Sequence, residues 1–215
     1  THSPARTMVT TRGALTDMEK RNIGCRIGLA LLFAACCGAL AAPAVAPAPQ
    51  APQEATPSYY APESGQEGKD VPWVPTPQIL VDTMLDMAKV TPADFVIDLG
   101  SGDGRTVITA AKRGVRALGI EYNPDMVVLS QRNAEKEGVT GKARFVKADL
   151  FETDLSEATV ITMFLLTTIN LELRPRILSL KPGTRIVSNS FDMGDWIPDA
   201  KAELLPDPRC DVSWC

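Results

Sequence analysis

Three glycines and four carboxylates carry the chemistry that this chain offers. Asp98 closes the apolar run "FVIDL", and Gly100, Gly102 and Gly104 follow at alternate positions with Ser101 and Asp103 between them. Glu121 closes "VRALGIE" and Asp149 closes "ARFVKAD". A glycine loop after a buried strand brings backbone amides close to a ligand, commonly a phosphate. A phosphate here would meet Asp98 and Asp103, and like charges in a partly desolvated cleft repel at high cost. The spacing also departs from both phosphate patterns. No lysine follows the loop, as a P-loop requires, and the glycines sit one residue tighter than in the dinucleotide fingerprint. The loop calls for a ligand with positive charge at one end.

S-adenosyl-L-methionine has that character: an ammonium, a permanent sulfonium and no phosphate. Asp98 is placed to face the cationic end. The helix starting near Arg105 offers amides to the cofactor carboxylate. Glu121 lies about 20 residues past the loop, where an acid that accepts from both ribose hydroxyls is expected. Asp149 is placed to accept from the adenine amino group, with Leu150 and Phe151 flanking the ring and Tyr122 packing nearby. Taken singly, Glu121 and Asp149 read equally well as solvated strand ends or helix caps, and Asp103 as a turn former. The set together carries the reading.

Bulk properties narrow the choice. The 215 residues are 45% hydrophobic, with a net charge of −4 and a pI near 5.1. An acidic chain argues against nucleic acid as the main partner. The single histidine is His2, so histidine catalysis is not expected in a folded domain further on. The cysteines (25, 36, 37, 210 and 215) leave the middle of the chain without a metal-ligand spacing or a disulfide framework, and no metal is expected. Cys210 and Cys215 read as free thiols, a mutual bridge being the alternative.

Alternating elements must position these residues. "TPQILVDTMLDMAKV" reads as a helix, with Thr76 as cap, Pro77 in the first helical position, and Leu80, Met84 and Met87 on one face. Strands are expected at "DFVIDLG", "VRALGIEY", "ARFVKAD", "ATVITMFLL" and "TRIVSNSF". Helices are expected from Thr106 to Arg113, from Asn123–Pro124 to Gly138, and from Leu171 to Leu180, with Pro175 a candidate start of the last. This alternation implies right-handed crossovers and a mainly parallel sheet, a Rossmann-like α/β domain.

Upstream, residues 1–17 read as a patternless extension. Residues 18–42 have a basic start at Lys20, Arg21 and Arg26 and an apolar run over 27–42, the anatomy of a signal peptide or a membrane anchor. The charge order places the downstream domain outside the cytoplasm, exported or anchored, in tension with a cofactor made in the cytosol. Residues 43–70 read as a Pro/Ala-rich disordered linker, 71–197 as the domain and 198–215 as a divergent or truncated tail.

"VPWVPTPQ", "DLGSGDGRTVITAAKRG", "GIEYNP" and "ADLF" resemble the class I S-adenosylmethionine-dependent methyltransferases. More narrowly, they resemble the lysine N-methyltransferase family acting on adenine nucleotide translocase and ATP synthase c-subunit. The resemblance implies that Asp98, Gly100 and Gly102 line the cofactor loop, that Glu121 meets the ribose and that Asp149 lies near adenine. It makes Val74, Pro75 and Thr76 a lid segment. Trp73 stands where the family often has tyrosine, which keeps an aromatic wall and removes a phenolic hydroxyl. On the acceptor side the candidates are Trp73, Thr76, Asn170 and Phe164; Asp192, Asp195 and Trp196 either border the cleft or form a surface turn. The family fold ends in an antiparallel hairpin of two strands for which nothing after Trp196 provides a convincing match, so an uncovered edge beside the last strand is expected. The implied reaction is in-line methyl transfer to a protein lysine, with a small-molecule acceptor or a non-catalytic cofactor-binding module as the alternatives.

Overall fold

The computed structural model describes residues 8–12 and 60–203. Its elements, in chain order, are β1 (Met8–Arg12), α1 (Gln78–Met87), β2 (Phe95–Leu99), α2 (Arg105–Lys112), β3 (Arg116–Glu121), α3 (Pro124–Lys136), β4 (Ala143–Lys147), β5 (Val160–Met163), α4 (Thr167–Leu178), β6 (Arg185–Asn189) and β7 (Ala200–Glu203). The sheet order is β4-β3-β2-β5-β6-β1-β7, and neighbouring strands pair parallel throughout. The chain runs one way from β2 to β4 and then returns to the other side of β2 with β5. The switch point therefore falls between β2 and β5, where α/β sheets bind ligands.

Strands β2, β5 and β6 are almost wholly buried, as parallel strands covered on both faces must be. Their side chains alternate between two cores. Val96, Val160 and Val187 pack with Val81, Leu85, Val107 and Ala110 of α1 and α2. Ile97, Leu99, Ile161, Met163 and Ile186 pack with Leu173 and Ile177 of α4. The same alternation puts Asp98 and Thr162 side by side, since they are register partners in adjacent strands.

Several boundaries differ from the sequence expectations. Helix α1 begins at Gln78 with Pro77 as its cap residue, and no side chain caps it; Thr76 stands one residue before the cap position. Helix α4 starts four residues before the expected Leu171 and runs through Pro175. That proline is exposed, so the carbonyl its missing N–H leaves behind can face water. The folded body also begins before Val71: Gly65 N donates to Trp73 O at 2.7 Å and Trp73 N to Gln66 O at 2.9 Å. The Pro/Gly-rich composition of this stretch hid those bonds.

The uncovered edge expected beside β6 is not found among the described residues. In its place β1, from the stretch read as a patternless extension, pairs parallel with β6 and with β7. The edge beside β6 is therefore covered rather than bare. Neither strand is readable: "MVTTR" is too short for its β-branched residues to show a period, and "AKAE" alternates but has no β-branched or aromatic residue. Among the described residues no helix is long and apolar enough to cross a membrane. The apolar run over 27–42 and all five cysteines lie outside the described residues.

Gly104 shows how tightly the loop region is built. Its φ is 85° and a Cβ there would lie 2.7 Å from both the Phe145 ring and Ser130. Substitution Gly104→Ala adds left-handed strain and overpacking at once, and should cost about 3 kcal/mol in chemical denaturation.

Candidate active site

The loop between β2 and α2 is folded back onto β3. Gly100 N and Ser101 N both donate to Ile120 O at 3.0 Å, and Gly104 N closes the turn onto Ser101 O at 2.9 Å. Gly102 N donates to Glu121 Oε2 at 2.9 Å, while Asn123 N donates to Glu121 Oε1 at 2.9 Å. Glu121 is thus oriented by two backbone amides, and each oxygen keeps a lone pair for a ligand hydroxyl. A Cβ at Gly102 (φ 53°) would lie 2.5 Å from Trp73 Nε1, so only glycine lets the indole close on the loop.

Asp98 lies beneath this loop, 6% exposed. Burial pushes its carboxyl up to about 7; hydrogen bonds from Thr162 and Thr106 oppose the rise, and the nearby Glu121 and Asp103 charges add to it. Thr162 Oγ1 donates to Asp98 Oδ1 at 2.6 Å. Such a group holds its charge most readily when a cation comes to rest beside it.

The cleft above these residues spans about 1020 Å³ including its open mouth. Its lining brings together Trp73, Pro75, Thr76, Asp98, Gly100, Ser101, Gly102, Asp103, Glu121, Tyr122, Asp149, Leu150 and Phe164. Asp103 does not present a free charge: Arg105 Nε donates to its Oδ1 at 3.0 Å and Arg105 Nη2 to its Oδ2 at 2.6 Å. Arg105 Nη1 then donates to Thr76 O at 2.8 Å, so this pair ties the lid segment to the loop. The amide of Arg105, expected to meet the cofactor carboxylate, is within 3.3 Å of Asp103 Oδ1 instead.

On the far side, Asp149 Oδ1 accepts from Phe151 N at 2.9 Å and Oδ2 from Lys69 Nζ at 2.5 Å. The Lys69 hydrogen bond, followed by the Phe151 amide, holds the Asp149 carboxyl below its ordinary range. Arg176 of α4 braces the same loop from behind, donating through Nη1 to Leu150 O at 2.9 Å and to Phe151 O, and through Nη2 to Thr153 O.

Three expectations are corrected. Gly104 does not line the cleft; its missing side chain makes room for Phe145 and Ser130 where helix meets sheet. Asn170 is fully buried outside the cleft lining. Its Nδ2 donates to Ser188 Oγ (3.3 Å), Phe191 O (3.2 Å) and Asp192 O (3.1 Å). It positions the loop after β6, which stacks Phe191 on Phe164 with ring centres 6.0 Å apart. Asp192, Asp195 and Trp196 form a surface turn rather than a cleft border. Asp192 Oδ1 accepts from Gly194 N at 3.2 Å, Asp195 pairs with Arg174, and Trp196 packs on the core beside α4.

Lys69, Arg105 and Arg176 escape sequence reading because each holds a group distant in the chain: Asp149 for Lys69, Thr76 O for Arg105, and the carbonyls of Leu150, Phe151 and Thr153 for Arg176. The donor set fits S-adenosylmethionine on the structure's own terms. A buried carboxylate awaits a cation, an oriented Glu121 has acceptors for two hydroxyls, and the buried Ser101 Oγ has no hydrogen-bond partner. Asp149 after β4, Glu121 of β3 and Asp98 of β2 with its loop thus stand in a row at successive strand ends along one cleft. The next position in the sheet is the end of β5, which brings Phe164 and Leu165 into the cleft lining.

Two outcomes follow from this arrangement. A bound cation lowers the Asp98 carboxyl below its free-site value near 7. Affinity for S-adenosylmethionine should therefore rise with pH up to about 7 and level off above it, with proton release on binding in the rising range. Calorimetry in two buffers of different ionisation enthalpy measures this, and Asp98→Asn should bind more weakly and lose the proton release. Arg176→Gln should weaken S-adenosylhomocysteine binding about tenfold by freeing the loop over 149–153. Unchanged affinity with a lowered melting temperature would reduce Arg176 to a packing role.

Known proteins share the sequence and the fold. The model of the ANTKMT methyltransferase domain matches residues 98–200. A protein-lysine N-methyltransferase of Saccharolobus islandicus is 52% identical over 131 residues, covering 60% of this chain and 81% of that protein. The human lysine N-methyltransferase of the ATP synthase c-subunit is 34% identical over 130 residues, and the match spans 60% of this chain but only 55% of the human protein. A crystal structure described as an RNA methyltransferase from Salinibacter ruber, in complex with S-adenosyl-L-homocysteine, is 51% identical with a TM-score of 0.58, covering 59% of this chain and 84% of that one. The chain belongs to the class I S-adenosylmethionine-dependent methyltransferases.

Proposed function

We propose that this enzyme methylates lysine side chains of proteins. The identity of 52% with a protein-lysine N-methyltransferase over 81% of that protein's length carries the reading. When bound, the cofactor supplies an electrophilic methyl group whose transfer leaves the electron pair on sulfur and S-adenosylhomocysteine as product. Asp98, Glu121 and the glycine loop bind and orient it. Trp73, Phe164 and Leu165 border the acceptor side, and none of them titrates. A desolvated, apolar approach lowers the pKa of a lysine ammonium and favours the neutral amine that can attack.

RNA is the second reading, favoured by the description of the Salinibacter ruber structure. The net charge of −4 weighs against it, because polyanion binding needs a basic surface. We also propose that residues 18–42 act as an export signal or anchor, which protease accessibility in intact cells tests. For the acceptor, extracts of the native host are incubated with tritium-labelled S-adenosylmethionine and split into protein and RNA fractions. The expected result is label in protein, with mono-, di- or trimethyl-lysine after hydrolysis. Label confined to RNA or to small molecules overturns the lysine reading.

A further inference from the structure

Lys69 holds its ammonium where the cofactor's adenine belongs. Its Nζ lies 2.5 Å from Asp149 Oδ2, 4.9 Å from the Tyr122 ring centre and 5.8 Å from the Phe151 ring centre. Asp149 has two carboxylate oxygens, and Phe151 N–H already occupies Oδ1. Lys69 engages Oδ2, so an adenine amino group donating to this carboxylate would have to share it with the ammonium. The same ammonium lies over the ring of Tyr122.

We propose that Lys69 is a further residue of the cofactor site, an internal competitor that fills the adenine place and must leave before the cofactor seats. The proposal rests on the reading of Asp149, Tyr122 and Leu150 as the adenine side. The backbone around Lys69 suits such a movement. Gly65 N–H donates to Trp73 O and Trp73 N–H to Gln66 O, while Gln66 Nε2 donates to Tyr60 Oη at 2.6 Å. Residues 67–72 form a loop between these fixed ends, with Lys69 near its tip. The side chain can swing away while Trp73 stays on the glycine loop. Its hold is an exposed ion pair with cation–π contacts, which is strong enough to occupy an empty site and weak enough to yield to a ligand. Opening of this loop becomes part of cofactor binding, and its closure limits water in the cleft between turnovers.

The test is calorimetric binding of S-adenosylhomocysteine to the full chain. Lys69→Gln should bind about fivefold more tightly, the worth of one exposed ion pair and its ring contacts. Lys69→Arg keeps the cation and should stay within about twofold of wild type. Raising salt from about 0.02 to about 0.3 M should tighten wild-type binding by screening the latch, and leave Lys69→Gln unmoved. Equal or weaker binding by Lys69→Gln overturns the proposal. A second ligand, S-inosylhomocysteine, carries a carbonyl in place of the amino group and tests the underlying reading. Wild type should bind it about tenfold more weakly; equal binding of both ligands sinks the adenine assignment whatever Lys69 does.

Discussion

Asp98 places a carboxylate inside the sheet, where burial raises it to about 7 and ionisation costs about 4 kcal/mol relative to water. The groups that hydrogen-bond to it are two hydroxyls, Thr162 and Thr106, which offset only part of that cost. A site poised in this way favours a ligand that brings positive charge to one point. The neighbouring carboxylates, whose charges add to the rise, are held by other groups: Arg105 engages Asp103, and two amides hold Glu121.

The same economy explains how distant segments are held together. Each wall of the cleft is fastened through main-chain groups. Arg105 grips Thr76 O, Arg176 grips the carbonyls of Leu150, Phe151 and Thr153, and Asn170 grips those of Phe191 and Asp192. Bonds to carbonyls fix the path of a loop without dictating its side chains. The lid, the adenine loop and the loop after β6 can therefore keep their places while their side chains vary with cofactor and acceptor.

The cofactor half of the site was legible because it depends on strand ends. An acid at the end of each of three consecutive strands, with a glycine loop after the first, is a pattern that parallel topology converts directly into a row. The five-strand core was legible for the same reason: continuous apolar runs bounded by glycine and proline admit little else. The failures share a cause of their own. Asn170 was singled out by type and place, yet its amide serves buried carbonyls, and only tertiary structure shows where a side chain after β5 points. Gly104 belongs to the motif but answers to Phe145. The sheet edge was unreadable because β1 and β7 are short and their partners lie far away in the chain.

Trp73 links the two halves. Its indole sits over Gly102, close enough that any side chain there would collide with Nε1, and it also borders the cleft toward the acceptor. An indole N–H donates and never titrates. Tyrosine at this position would bring a hydroxyl able to accept or relay a proton; tryptophan brings only shape, an apolar face and one donor. With Phe164 stacked on Phe191 at the other side, the acceptor meets a wall rather than a base. On the proposed lysine reading, an amine reaching that wall gives its proton to solvent on the way in, driven by desolvation, and selection among acceptors falls to the fit of an alkyl chain between aromatic surfaces.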